Sequence, residues 1–157
     1  MPERAKPDPD SPPRDGGEDL ESLVGYNLKR AYMLFQDEFR TALGPDGFST
    51  REFSALSLVI EQPFITQSDL ARTLGIERSG LVAIVDKLEK SGFLQRQTVP
   101  GDRRVQALAP TDAGKTAYHD ALAKVRDGEA RLLAELDADA QRALVELLQN
   151  LRHPGTG

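Results

Sequence analysis

Between Thr66 and Ala109 two runs at helical spacing are followed by two short segments of different character, and that succession leaves few folds open. Leu70, Ala71 and Leu74 recur at helical spacing, Gly75 interrupts them, and Leu81, Ile84, Val85 and Leu88 resume the same spacing. Ser91–Gly92 ends the helical run. Phe93–Val99 and Val105–Ala109 follow. Both are short and rich in residues that tolerate extended structure, and they flank the turn Pro100–Gly101–Asp102–Arg103–Arg104. The segment therefore reads as a short helix, a Gly turn, a second helix, and two antiparallel strands with a basic tip.

The flanks are helical. Residues 1–18 hold five of the ten prolines and almost nothing apolar, and read as a disordered tail. From Asp19, Leu20, Leu23, Val24, Leu28, Ala31, Tyr32, Phe35, Phe39 and Leu43 predict one long amphipathic helix, stopped by Gly44–Pro45. Ser49 and Glu52 have capping-box spacing and open a helix with Phe53, Leu56, Val59 and Ile60 on its inner face, closed by Pro63. Thr66 caps the next helix, with Asp69 at its third position. Thr111 begins a helix running to about Leu136, weakened locally by Gly114 and Gly128, and Asp137 caps a last one carrying Leu144, Leu147, Leu148 and Leu151. The fold class is mainly α, six helices with a small β-hairpin.

Composition removes several functions. The chain has 157 residues and no cysteine, so disulfides, thiolate metal sites, cysteine nucleophiles and cysteine peroxide sensing are excluded. His119 and His153 show no zinc-ligand spacing, so no metal is expected. No apolar stretch suits a membrane span or a secretory signal, and a cytoplasmic location is expected. No nucleophile–base pair, paired-carboxylate arrangement or phosphate loop appears, and His119–Asp120 cannot face one point on a helix. Neither an enzyme nor a cofactor is expected. The overall charge of −5 hides an asymmetry: Phe64–Lys115 carries eight basic and six acidic residues, net +2, and the rest carries net −7. A basic segment on an acidic body fits nucleic-acid binding confined to one surface.

A second helix of this kind enters a major groove if one side is buried and the other free. Its free side at helical spacing is Ser79, Ala83, Asp86/Lys87 and Lys90, with Arg78 and Ser79 at its start, where the helix dipole favours phosphate. A pair of short helices in a bundle looks the same, and Arg103–Arg104 alone is also an ordinary solvated turn. Together they read as a winged helix, whose wing can place an arginine in the minor groove.

These residues resemble the MarR family of winged-helix transcriptional regulators. The likeness rests on Thr66–Gln67–Ser68–Asp69–Leu70–Ala71, Gly75–Ile76–Glu77–Arg78–Ser79, Leu81–Gly92, Phe93–Leu94, Asp102–Arg103–Arg104 and Thr111–Asp112–Ala113–Gly114, and spans about residues 20–152. It implies an intertwined homodimer with residues 19–48 and 112–152 as the dimerisation region and 49–111 as the winged lobe. It also implies a pseudo-palindromic double-stranded operator with half-sites ~10 base pairs apart. Thr66, Gln67, Arg78, Ser79, Gly80, Ala83 and Lys87 are then the DNA-facing residues of the helices. Asp102 would orient the wing arginines, Arg103 would touch phosphate and Arg104 would probe the minor groove.

Four residues depart from the family. Val82–Ala83 stands where a Thr and a polar residue are common. Val82 is expected to pack inward, and Ala83 offers only a methyl contact, for instance to thymine. Gly80 either permits close approach to the DNA backbone or is merely tolerated. Pro110 replaces an apolar strand residue and is expected to end the second wing strand early.

The resemblance further implies a repressor released by a small aromatic or anionic effector, bound by the first, second and fifth helices. Tyr26, Arg30, Tyr32, Phe35, Phe53, Ser57, Tyr118 and His119 are the candidates, although Tyr32, Phe35 and Phe53 sit at core spacing, where plain packing is simpler. Gly25–Tyr32 and Ile76–Glu89 resemble the branch that controls aromatic-acid catabolism, some of whose members respond to aryl-CoA thioesters. The alternative is a helical dimeric protein-interaction module without DNA binding.

Overall fold

The computed structural model describes residues 17–99 and 101–152, with Glu18 and residues 102–104 described by backbone alone. Residues 1–16 of the expected 1–18 disordered tail, and His153, lie outside the described residues; Glu18, placed in that tail by the expectation, instead begins a helix. The chain divides after Leu34 into two compact units.

The first unit contains helix α1 (Glu18–Glu21) and the start of helix α2 (Val24–Leu43). The single helix expected from Asp19 is therefore broken at Ser22–Leu23. The Ser22 hydroxyl donates to the Asp19 carbonyl at 2.7 Å, and the Asn27 amide donates to the carbonyls of Glu21 at 2.7 Å and Leu23 at 2.9 Å. Side chains thus occupy carbonyls that a continuous helix would use.

The second unit is built from elements whose ends are marked in the sequence. Gly44, at φ +73°, donates to the Arg40 carbonyl and terminates α2 in the left-handed conformation that glycine adopts without strain. Helix α3 (Thr50–Glu61) opens on the expected capping box. The Ser49 amide donates to Glu52 Oε2 at 3.0 Å and the Glu52 amide to Ser49 Oγ at 3.3 Å. Strand β1 (Ile65–Thr66) leads into helices α4 (Gln67–Leu74) and α5 (Arg78–Lys90), joined by Gly75 in the left-handed region. Strands β2 (Leu94–Val99) and β3 (Asp102–Pro110) form the hairpin. Helix α6 (Asp112–Leu132) follows, capped by Thr111 as expected, and α7 (Ala138–Arg152) ends the described chain. The Ala140 amide donates to the Asp137 carboxylate at 2.8 Å, so Asp137 caps α7 as expected.

Helices α3, α4 and α5 pack with the sheet around Leu56, Val59, Leu70, Leu81, Val85, Leu88, Leu94 and Leu108, all fully buried. Burial of each contributes about 1.5–3 kcal/mol. The result is mainly α with a small antiparallel sheet, as expected, but with a third strand and a seventh helix among the described residues. Strand order is β1-β3-β2. Two residues are too few for an alternation signal; β1 exists because β3 offers an open edge, to which the Phe64 amide donates at the Leu108 carbonyl, 2.9 Å.

Pro110 does not end its strand early. It pairs with Leu94, while the Thr111 amide donates to the Phe93 carbonyl at 3.1 Å. Phe93/Thr111 is therefore the hydrogen-bonded pair and Leu94/Pro110 the non-bonded one, so the N–H that proline lacks would have pointed away from β2. Helix α6 stops at Leu132, short of the expected Leu136. There the Gln141 side-chain amide takes the carbonyls of Leu133 and Leu136, at 3.2 and 2.8 Å.

Glu52 is the buried charged residue of the core, and Lys87 Nζ lies 2.7 Å from its Oε1. Burial pushes the Glu52 carboxyl up. The Lys87 ammonium and the Ser49 amide and hydroxyl outweigh that and hold it below the usual carboxylate value. A depressed carboxyl stabilises the fold above its unfolded value, near pH 4.5, and loses that contribution as pH falls through its folded value. Glu52→Gln should therefore lower stability at pH 7 by about 1–2 kcal/mol. Its deficit against wild type should shrink as pH falls from about 5 to 3. Urea denaturation at several pH values measures this; a pH-independent deficit would contradict the ionic role.

Candidate nucleic-acid interface

The interface starts at the α4 cap. The Thr66 hydroxyl accepts from the Asp69 amide at 3.1 Å and donates to Asp69 Oδ2 at 2.7 Å. That hydroxyl, first, and the adjacent Arg72 guanidinium hold the Asp69 carboxyl below its usual range, against the opposing effect of desolvation. Thr66 is thus committed to shaping the helix start, and Gln67 and exposed Ser68 are the next side chains out.

Thr66, Gln67 and Ser68 share a shallow cleft of about 400 Å³ with Arg78 and Val82 of α5 and Val105 and Gln106 of β3. The start of the first helix, the outer face of the second and the inner strand of the wing therefore meet on one surface. Val82 is a correction: it was expected to pack inward and is exposed. Leu81, Val85 and Leu88 turn the helix so that Val82 falls on the Arg78 side, one turn along. Ser68, Val105 and Gln106 were not singled out from the sequence; Ser68 lay within the quoted Thr66–Ala71 motif, and the two strand residues carried no signal of their own.

Arg78, Ser79, Gly80, Ala83, Asp86 and Lys90 are all exposed, as expected for the free side of α5. Glu77 occupies the α5 cap position without a side-chain cap bond, which leaves the first amides available to an anion. A Cβ on Gly80 would meet nothing within 4 Å. Gly80→Ala should accordingly raise stability by about 0.5–1 kcal/mol, read as a higher urea midpoint. Lost DNA binding by that stabilised variant would show that the bare backbone approaches DNA; unchanged binding would show that Gly80 is merely tolerated. Lys87, although exposed, directs its ammonium to Glu52.

The wing hairpin turns through Gly101, at φ +94°. Asp102, Arg103 and Arg104 belong to the turn on sequence grounds, but their backbone begins β3, with Asp102 paired to Val99 across an irregularity at Thr98/Val99. The base of the wing is tied to α5. The Arg96 amide of β2 donates to Glu89 Oε1 at 3.1 Å, and its guanidinium donates to both Glu89 and Asp86. No sequence pattern marked that contact.

Part of the expected effector site is assembled by α3 and α6. The Ser57 and Tyr118 hydroxyls are 2.8 Å apart, the Phe53 and Tyr118 rings lie 5.0 Å apart, and His119, exposed, sets its ring 5.5 Å from Tyr118. Tyr118 is buried and Phe35 half-buried. Tyr26, Arg30 and Tyr32 lie on α2 in the first unit. Among the described residues no group of His, Asp and Glu could hold a metal, and no helix is long and apolar enough to cross a membrane.

A buried-on-one-side second helix, an exposed outer face and a hairpin bonded to that helix define a winged-helix protein of the DNA-binding class. A model of the MarR family matches residues 46–105. An HTH-type transcriptional repressor of Mycobacterium tuberculosis is 30% identical over 128 residues, covering 82% of this chain and 92% of that protein. The chain belongs to the MarR family; it is a DNA-binding regulator of transcription and not an enzyme, which removes the reading as an interaction module without DNA binding. A putative transcriptional regulatory protein for the hcr operon of Thauera aromatica is 31% identical over 82% of this chain and 78% of its own length. Among solved structures, the transcriptional repressor CouR bound to a 23-mer DNA duplex superposes with a TM-score of 0.81 at 34% identity, covering 87% of this chain and 96% of that one. CouR from Rhodococcus jostii bound to p-coumaroyl-CoA gives 0.78 at 29% identity, covering 90% and 99%.

Proposed function

We propose that the protein is a homodimeric repressor that grips a pseudo-palindromic operator with two winged lobes and releases it on binding an aromatic acid or its CoA thioester. The observation that carries the DNA reading is the single surface formed by the α4 start, the free side of α5 and β3. On this reading Gln67, Arg78, Ser79, Gly80 and Ala83 face the major groove, and Asp102, Arg103 and Arg104 form the minor-groove arm. The dimeric reading is supported by α7, which has no buried residue although Leu144, Leu147, Leu148 and Leu151 all lie along it. In the first unit Leu20, Leu23, Val24 and Leu28 are likewise exposed, and apolar stripes of this kind call for a covering surface.

The test is selection of bound duplexes from a random-sequence library, followed by footprinting and stoichiometry. The expected result is an inverted repeat, half-sites ~10 base pairs apart, and two chains per duplex. Failure to enrich any sequence, or one chain per duplex, refutes the reading.

The effector class is supported by the Phe53–Tyr118 ring pair with its Ser57 hydroxyl and by the p-coumaroyl-CoA bound to CouR. Phenolic acids and their CoA thioesters, at concentrations about 100-fold above their dissociation constants, should raise the melting temperature by about 5 °C and release the selected duplex. A panel of such compounds producing no shift removes this effector class.

A further inference from the structure

We propose that Arg96, Asp86 and Glu89 form a clamp that fixes the wing to the recognition helix, making Arg96 a positioning residue for DNA binding rather than a DNA contact. The inference rests on the DNA reading above and goes beyond it, because none of these residues is needed to touch the duplex.

The geometry is specific. Arg96 is the third residue of β2, in the half of the strand nearest the helix, and it meets the C-terminal half of α5 with both backbone and side chain. Its amide and guanidinium both reach Glu89, and its second guanidinium nitrogen reaches Asp86, one turn earlier on the helix. Only a planar fork spans two carboxylates in this way; a lysine ammonium acts as a single point. The Arg96 side chain is only 22% exposed, which argues against a phosphate contact, whereas Asp86 is 58% exposed on the free side of the helix.

The consequence is mechanical. From Arg96 to the end of β2 at Val99 is three residues, roughly 10 Å of extended chain. Beyond the clamp the hairpin is a lever, so a small change of angle at Arg96 becomes a displacement of ångströms at the tip. Major-groove and minor-groove contacts add only when both are held in register with one duplex. The clamp sets that register. It also explains acidic residues on a DNA-facing helix: Asp86 and Glu89 are there to hold the wing.

Two variants separate this role from a simple charge effect, using the duplex that the wild-type protein selects from a random-sequence library. Arg96→Lys keeps the charge and loses the fork. Asp86→Asn with Glu89→Gln removes two negative charges at nearly constant shape. The clamp predicts that both bind the selected duplex about tenfold more weakly. It also predicts that adding Arg104→Ala costs less than threefold in either background, against tenfold or more in wild type. Melting curves and dimer mass confirm that each variant is folded; the near-isosteric Asn/Gln variant covers the case in which Arg96→Lys does not fold. A charge effect gives the opposite pattern, with Arg96→Lys unchanged and the Asn/Gln variant tighter, and would overturn the clamp. So would an undiminished Arg104→Ala loss in both backgrounds. If Arg104→Ala is silent in wild type, the wing contributes nothing to be positioned and the clamp is overturned. If wild type selects no duplex, the failure lies in the operator reading, and the clamp falls with it.

Discussion

Gly114→Ala should be the most damaging single-methyl substitution in the chain, destabilising it by about 3 kcal/mol or more. A Cβ built on Gly114 would lie 1.9 Å from the Phe93 carbonyl oxygen and 2.7 Å from its carbonyl carbon. Neither atom can move aside. The Phe93 carbonyl already accepts from the Thr111 amide, and the Thr111 hydroxyl donates to the Gly92 carbonyl at 2.6 Å while capping Gly114. The start of α6 is thus locked against the backbone at the base of the wing. Gly128→Ala provides the contrast. The three atoms nearest its Cβ all belong to the Glu38 side chain, the first at 2.8 Å, and that side chain can rotate away at the cost of its contact with Arg131. The gain of about 1 kcal/mol in helix propensity offsets that, leaving the change near neutral. Urea denaturation of both variants measures the difference, and a Gly114→Ala loss below about 1 kcal/mol would contradict the close approach.

Arg104→Ala should weaken binding to the selected operator tenfold to a hundredfold, about 1–3 kcal/mol, with the urea midpoint unchanged. An arginine in a narrow minor groove meets concentrated negative potential, so its loss costs more than that of one phosphate contact. The logarithmic salt slope should also flatten by about one. Affinity titrations at several salt concentrations read both quantities. Unaltered affinity and slope would place Arg104 away from DNA.

Much of the winged lobe was legible because its signals are local. Ser49 with Glu52, Thr66 with Asp69, Thr111 and Asp137 each satisfy backbone amides within three residues, so the cap and the helix it starts are written together. The free side of α5 was legible for the same reason: Leu81, Val85 and Leu88 bury one side at helical spacing and leave Ser79, Ala83 and Asp86 outside. Most of the features missed depend on what lies opposite; the break between α1 and α2 is the exception, set by the Ser22 and Asn27 side chains.

Nothing in Ile65–Thr66 announces a strand; the open edge of β3 makes it one. Pro110 looks like a strand breaker until the Thr111–Phe93 bond shows which way its missing N–H would have faced. Val82 looks like a core residue until its neighbours settle the rotation of the helix. Arg96, Asp86 and Glu89 sit seven and ten residues apart and become one unit only when the hairpin folds back on α5. By itself the sequence determined where helices α3, α4, α6 and α7 begin, which side of each is apolar and which family the chain joins, because caps and periodicity act over one or two turns. The tertiary structure decided register, close approach and charge partnership, because those depend on atoms brought together from distant parts of the chain.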